Sequence, residues 1–460
     1  MDQAVPNLMT AQDGPVLELE QSLLTNQSRI ETWFRRQWKQ TRAPIYSSVD
    51  LRNGGYKLSP VDTNLFPAGF NNLNPQFDAL AVQAFQTAVE RICPCAAGVL
   101  VVPESHTRNL YYWESVATLV SLIGKAGFEV RVGSADPVFA ETRVMEPPSG
   151  RRVTVEPLHR NGDRVGVDGF DPCAVIMNND MSGGRPPMLE GIAQPIVPPL
   201  ALGWSNRTKT QHFTEYREVC AEFADLIDID PWLIDPMFRN CGEIDFKKRE
   251  GEECLVSNVE MLLEDIAAKY REYGIQREPF VFVKADMGTY GMGVMTARSA
   301  DDVRQLNRKA RKHMASAKDG RDVTGAIIQE GVYTCETWGP ERATAEPVVY
   351  MIDQFVVGGF YRLNSQRGNQ ENLNAPGMRF EPLAFEECCS HPDPNCGPDE
   401  RPNRFYAYGV VARMAALAAA REIEATRQLA APQGEPDQAG VQWTPAPANA
   451  RPRMAGPVVE

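Results

Sequence analysis

A mixed α/β (α+β) fold is predicted by three features of the sequence. Short apolar, β-branched runs alternate with helix-period segments, as in the succession 98–103, 112–125 and 128–132, and strand, helix, strand in that order marks an α/β layer. A second unit opens near Pro279 with the strand FVFVKAD. The chain, 460 residues with 43% hydrophobic content, is long enough to bury two or three cores at roughly 100–200 residues each.

In chain order, Leu19, Leu23, Leu24, Ile30, Trp33 and Phe34 recur at helical spacing, which predicts an N-terminal helix over 19–38. Residues 46–73, YSSVDLRNGGYKLSPVDTNLFPAGFNNL, are dense in Asn, Asp, Gly and Pro. They read as a long irregular stretch rich in side chains that can recognise a polar ligand. Strands are expected at 98–103, 128–132, 153–155, 164–167 and 174–177, the last emptying into the loop NNDMSGGRPP. Open α/β sheets place ligands beyond such strand ends. Helical patterns cover 210–226 and 259–273. From Pro279 the order is strand, glycine-rich loop, strand VMTA, a basic helix over 300–316, strand AIIQEG, then two strand-like runs between 347 and 363. From Ala430 the sequence is rich in Pro, Ala and Gln without apolar periodicity, the pattern of a disordered tail.

Composition narrows the function. With Lys+Arg 47 against Asp+Glu 60, the formal net charge is −13, which disfavours nucleic acid and anionic membranes as partners, so a phosphate must be held by a local site. The basic run RQLNRKARKHM (304–314) reads as one helix face in an acidic protein. The N-terminus lacks the apolar core of a signal peptide, and no run of about eighteen apolar residues predicts a membrane span. The ten cysteines show no framework and read as reduced thiols of a cytoplasmic protein. In CCSHPDPNC, Cys388, Cys389, His391 and Cys396 lack the spacing of a zinc site.

The sharpest chemical signal is FVFVKADMGTYGMGVM (280–295), where an apolar strand presents Lys284 and is followed by Gly288, Thr289, Tyr290, Gly291 and Gly293. Glycines let a loop approach phosphates and turn backbone N–H groups toward them, and the lysine adds a full charge. The glycines alone also fit a tight hairpin. A second strand follows them, which excludes the strand–loop–helix order of P-loop and dinucleotide motifs. Downstream, Gln329 and Glu330 end a strand where backbone amides can meet adenine and a carboxylate can meet ribose hydroxyls; an ordinary strand end reads the same way. Asp353, Arg362, Glu371, Asn372 and Asn374 then fall in one short region. Their oxygens suit Mg²⁺ alongside ATP phosphates, and Arg362 suits a transferring phosphoryl group.

Lysine strand, glycine flap, Gln-Glu strand end and the ENLN segment, in that order, resemble the ATP-grasp fold. Residues 46–73 together with VKADMGTYGMGV, AEPVVYMIDQFVVGGFYRLN and ENLNAPG resemble the proteobacterial glutamate-cysteine ligase family, over about 46–385. The resemblance implies ATP-dependent joining of L-glutamate and L-cysteine, with Mg²⁺ and a γ-glutamyl phosphate, as the first step of glutathione synthesis. It divides the chain into a helical segment (1–45), an α/β substrate-binding domain (46–205), an ATP-grasp-like nucleotide-binding domain (206–430) and the tail (431–460).

On this reading Lys284 and Arg362 are catalytic, and Lys284, Gly288, Thr289, Tyr290, Gly291, Gly293, Gln329 and Glu330 hold ATP. Arg52 pairs with an amino-acid carboxylate, Asp50 or Asp62 accepts from its ammonium, and Asn64, Asn71 and Asn72 bind the remaining polar atoms. Asp353, Glu371 and Asn374 are the metal ligands. ATP-grasp enzymes add a second nucleotide lysine, for which Lys209, Lys247 and Lys248 stay open, and the GTYGMG loop is expected to close as a lid. A glutathione synthetase or another ligase of the superfamily, and a non-catalytic nucleotide-binding regulator, are the alternatives.

Overall fold

The computed structural model describes residues 8–11, 13–105, 109–288, 293–315, 323–383 and 404–430. Glycine-loop residues Thr289, Tyr290 and Gly291, the cysteine-rich segment 388–396 and the predicted tail lie outside these residues.

The predicted α/β layer is a six-stranded sheet ordered Ile196–Val197, Ala174–Asn178, Gly98–Pro103, Glu129–Ser134, Val153–Pro157, Arg143–Met145, parallel except for the last pair. Gly98–Pro103 is buried throughout, as a strand covered on both faces must be. Val99 and Val101 pack with Phe85 and Trp113 of the helices Asp78–Ile92 and Leu110–Lys125. The alternate residues Leu100 and Val102 pack with Leu65, Phe66, Ala419 and Ile423, the period-2 consequence of strand geometry.

Residues 46–73 are not mainly loop. They form the antiparallel pair Tyr46–Asn53 and Leu58–Asn64, which joins a seven-stranded sheet through Ala343–Ile352. Tyr46–Asn53 is buried along nearly its whole length, so tertiary pairing outweighs the turn propensity of its Asn, Asp and Ser residues. Phe355–Asn364 and Arg379–Pro382 continue the sheet on the other side. The division expected between 205 and 206 therefore runs through paired strands.

The lysine strand Val281–Ala285 lies in a four-stranded antiparallel sheet, ordered Phe238–Cys241, Ala326–Glu330, Val281–Ala285, Val294–Ala297, backed by the helix Glu252–Glu272. The predicted N-terminal helix is two, Pro15–Thr25 and Gln27–Gln40, broken at Asn26. The basic helix is likewise two short pieces, Ala300–Arg304 and Arg308–Met314.

The helix Arg404–Ala430, which the periodicity did not predict, packs against both pocket-forming strands Tyr46–Asn53 and Leu58–Asn64 and against Lys209–Ile227. Its residues 406–412 and 414–420 are all buried. A helix buried on every side carries no amphipathic stripe by which to find it. Among the described residues no helix is long and apolar enough to cross a membrane.

Candidate active site

Between the seven-stranded and four-stranded sheets lies a cleft of about 690 Å³. Strand alternation delivers its charged walls: Asp50 and Arg52 from one strand, Asp62 from the next, Glu346 and Arg362 opposite each other on the hairpin 343–364, and Lys284 from the lysine strand. Asp286, just past that strand, caps the helix Lys209–Ile227. Its backbone oxygen accepts from the Lys209 N–H (2.8 Å) and its Oδ1 from the Thr210 N–H (2.7 Å). This brings Lys209 beside Lys284, and Lys209 Nζ donates to the Gly288 carbonyl (2.7 Å) and lies 4.3 Å from the Trp204 ring centre. Gly288 and Gly293 take φ of 99° and 62° where the glycine loop leaves and rejoins the sheet, conformations other residues rarely adopt.

Four cations, Lys209, Lys284, Arg52 and Arg362, face three carboxylates, Asp50, Asp62 and Glu346, so the walls carry one positive charge in excess. Burial pushes Lys284 down to about 8, with Asp62 opposing the shift. Its Nζ donates to the Val61 carbonyl (3.0 Å) and to Gln329 Oε1 (2.6 Å). Burial also lowers Lys209, against Asp62 and Asp286. For Asp62 burial acts upward, but Lys209, Lys284, Arg207 and His212 outweigh it and hold the carboxyl below its ordinary range. Burial raises Asp50 despite Arg362, whose Nη1 donates to its Oδ2 at 2.7 Å. Burial acts to lower Arg362, and the Asp50 and Glu346 carboxylates more than offset it. Arg362 Nε is buried with no hydrogen-bond partner, a donor that an anionic ligand can satisfy.

Of the predicted site residues, Lys284, Arg362, Gly288, Arg52, Asp62 and Asn374 line this cleft, with Asn372 beside them; Gly293 closes the loop. Arg52 is committed elsewhere: Nε donates to Glu346 (2.6 Å), Nη1 to the Val332 carbonyl (3.0 Å) and Nη2 to the Glu371 carbonyl. It braces the wall and has little left to clamp a carboxylate. Gln329 sits behind Lys284 and orients it. Glu330 is sealed away from the cleft, ion-paired with Lys57 (2.8 Å) and accepting from Trp232 Nε1 (3.1 Å), all three buried. Asn64 accepts from the Phe66 N–H (2.8 Å), and Asn71 bonds Asn72 on an exposed turn (3.0 Å), so all three shape loops.

The expected metal trio is not assembled. Asp353 turns into a separate cavity with Arg91, and Glu371 pairs at the surface with Arg367 (2.9 Å), leaving Asn374 alone in the cleft. No group of three or more His, Cys, Asp or Glu able to hold a metal occurs among the described residues. Asn372, Asn374 and the ionised Asp62 are oxygen donors suited to Mg²⁺ when phosphate oxygens and water complete its shell. Lys247 and Lys248 sit in a turn capped by Asp245, at 2.8 and 3.1 Å from their N–H groups, while Lys209 lines the cleft. Glu346 was missed by sequence reasoning; a glutamate inside the apolar strand ATAEPVVYMI was its signal.

The chain is similar to known proteins over most of its length. A family model described as glutamate-cysteine ligase matches residues 20–423. The crystal structure of a candidate gamma-glutamylcysteine synthetase from Methylobacillus flagellatus KT superposes with a TM-score of 0.85 at 56% identity, covering 92% of this chain and 100% of that one. A glutathione synthetase-like effector from Globodera pallida (10% identity, TM-score 0.33, 76% and 77% of the two chains) and D-alanyl-alanine synthetase A from Vibrio cholerae (10%, 0.31, 69% and 81%) also match, at scores that carry no argument. No curated protein matches the chain.

Proposed function

The chain belongs to the glutamate-cysteine ligase family, and from that premise we propose that the cleft between its two antiparallel sheets forms γ-glutamylcysteine from ATP, L-glutamate and L-cysteine. The observation that carries the assignment of the site is the convergence of Lys209, Lys284 and Arg362 on one cavity that also holds the carboxylate of Asp62.

Lys209 and Lys284 sit where they can neutralise the ATP phosphates, and Gly288 leaves room for close approach. Arg362, held by Asp50 and Glu346, meets the γ-phosphoryl as it passes to the glutamate side-chain carboxylate, where charge builds on oxygen. Asp62 accepts from an amino-acid ammonium. The cysteine amine then attacks the acyl carbon, the carbon–oxygen bond to phosphate breaks, and inorganic phosphate leaves with the amine's proton. Asn372, Asn374 and Asp62 would hold Mg²⁺ together with phosphate oxygens, and the ion would add to the neutralisation of the phosphates. The protein contributes position and fixed charge, and no side-chain nucleophile is needed.

Phosphate release with Mg²⁺-ATP tests this. Release that needs glutamate together with cysteine or 2-aminobutyrate, and that disappears in Lys284→Ala, supports the assignment. Release only with γ-glutamylcysteine plus glycine moves the enzyme to the next ligation, and ATP binding without release removes the catalytic role.

A further inference from the structure

A second cavity, about 1050 Å³, shares no lining residue with the catalytic cleft. It opens where the approach to strand Tyr46–Asn53, the end of helix Asp78–Ile92, the segment 195–199 and the last turns of helix Arg404–Ala430 meet, the kind of junction where small-molecule sites form.

Its charge is unbalanced. Three arginines, Arg42, Arg91 and Arg427, face it with one carboxylate, Asp353. Asp353 is buried and taken by Arg91, at 2.6 Å from Nη1 to Oδ1. Among the described residues, neither Arg42 nor Arg427 has an ion-pair partner for its guanidinium. In a chain of net charge −13, these two exposed guanidiniums at the rim of one apolar-walled hollow, with the Glu424 carboxylate bonded to the Arg42 backbone N–H (3.3 Å), still leave a local excess of positive charge. The rest of the lining, with Ile45, Ile92 and Ile423 among it, is largely aliphatic and proline. Inorganic anions gain nothing from such a wall, whereas a hydrocarbon frame does.

We infer that this cavity is a binding site for a small organic anion carrying two or more carboxylates on a short hydrocarbon frame, received by Arg42 and Arg427 with Arg91 beside them. Guanidinium forks match carboxylates two-pronged, and two unmatched cations call for two charges. The site is outside the catalytic cleft but joined to it: Arg42 leads into the strand bearing Asp50 and Arg52, and Arg427 lies on the helix whose Glu422 grips Arg207.

Calorimetric titration of the full chain with tricarballylate, without nucleotide or Mg²⁺ and at fixed ionic strength, tests the inference. Saturable binding is expected to the wild type and to Lys284→Ala, weakened at least about tenfold in Arg42→Ala/Arg427→Ala, a variant that keeps basal ligase activity. No binding to the wild type overturns the inference. So does binding that survives the double substitution, or that is lost in Lys284→Ala, which would place the anion in the catalytic cleft.

Discussion

Lys284 is a cation of the cleft whose ionisation the fold moves into the range where activity can be measured. Burial pushes it down to about 8, and its role requires the charged form. Between pH 7 and pH 9 the protonated fraction falls from about 0.9 to about 0.1 for a group at this value, so kcat/KM for ATP should drop nearly tenfold over that interval, following the free enzyme. The sign is fixed: raising pH removes a cation from the phosphate site, and the loss is on the alkaline side. The assay is phosphate release at saturating glutamate with 2-aminobutyrate as acceptor, which removes the cysteine thiol as a competing titration. Lys284→Arg keeps a charge that does not titrate here and should abolish this limb even if its rate is lower. Lys284→Ala should cost about 10²–10³ in kcat/KM, the usual loss for one preorganised charge stabiliser. A flat wild-type profile to pH 9.5, or a limb near 8 that persists in the arginine variant, would refute the assignment of Lys284 as the phosphate cation.

Glu422, fully buried against Arg207 (2.8 and 3.0 Å) and His212, is raised by burial but held down at about 2 by those two partners. Relative to its ordinary 4.5 this is about 3 kcal/mol of stability, near the ~3–5 kcal/mol for breaking a buried pair. That contribution is full above about pH 4.5 and lost as pH falls toward 2. With an unfolding entropy of about 2.1 cal/mol/K per residue, Glu422→Gln should lower Tm at pH 7 by about 3–5 °C in differential scanning calorimetry; a change within 1 °C would show the pair contributes no net stability. Lys57→Met should destabilise by a similar ~3–5 kcal/mol by stranding Glu330, and adding Glu330→Gln should recover much of the lost Tm, whereas a nucleotide role for Glu330 would show instead as a raised KM for ATP. Glu371→Ala should change kcat/KM less than about threefold because its carboxylate lies at the surface, paired with Arg367 and accepting from the Gly368 N–H (2.7 Å), while Asn374→Ala should raise the Mg²⁺ concentration for half-maximal rate; steady-state Mg²⁺ titrations of both separate the two.

Local sequence determined much of this protein. The lysine strand, the glycines at φ > 0, the parallel strands and the helix over 209–227 are legible because period, β-branching and glycine chemistry act within a few residues. The family resemblance rested on the same stretches, and the ordering of lysine strand before Gln-Glu strand end carried over to adjacent strands of one sheet. Which polar residue faces which space was decided only by tertiary packing. Asp353 and Arg362 are nine positions apart on one hairpin, yet its turn carries Asp353 to the arginine-lined cavity while its far end carries Arg362 to the cleft. Glu330 and Gln329 are neighbours, but strand alternation turns one toward Lys284 and the other into a sealed pair with Lys57. Lys209, rather than Lys247 or Lys248, lines the cleft because Asp286, 77 positions on in the chain, caps its helix beside the lysine strand. Such choices depend on contacts between residues distant in sequence, whose free energies exceed any local preference, and no window along the chain contains them.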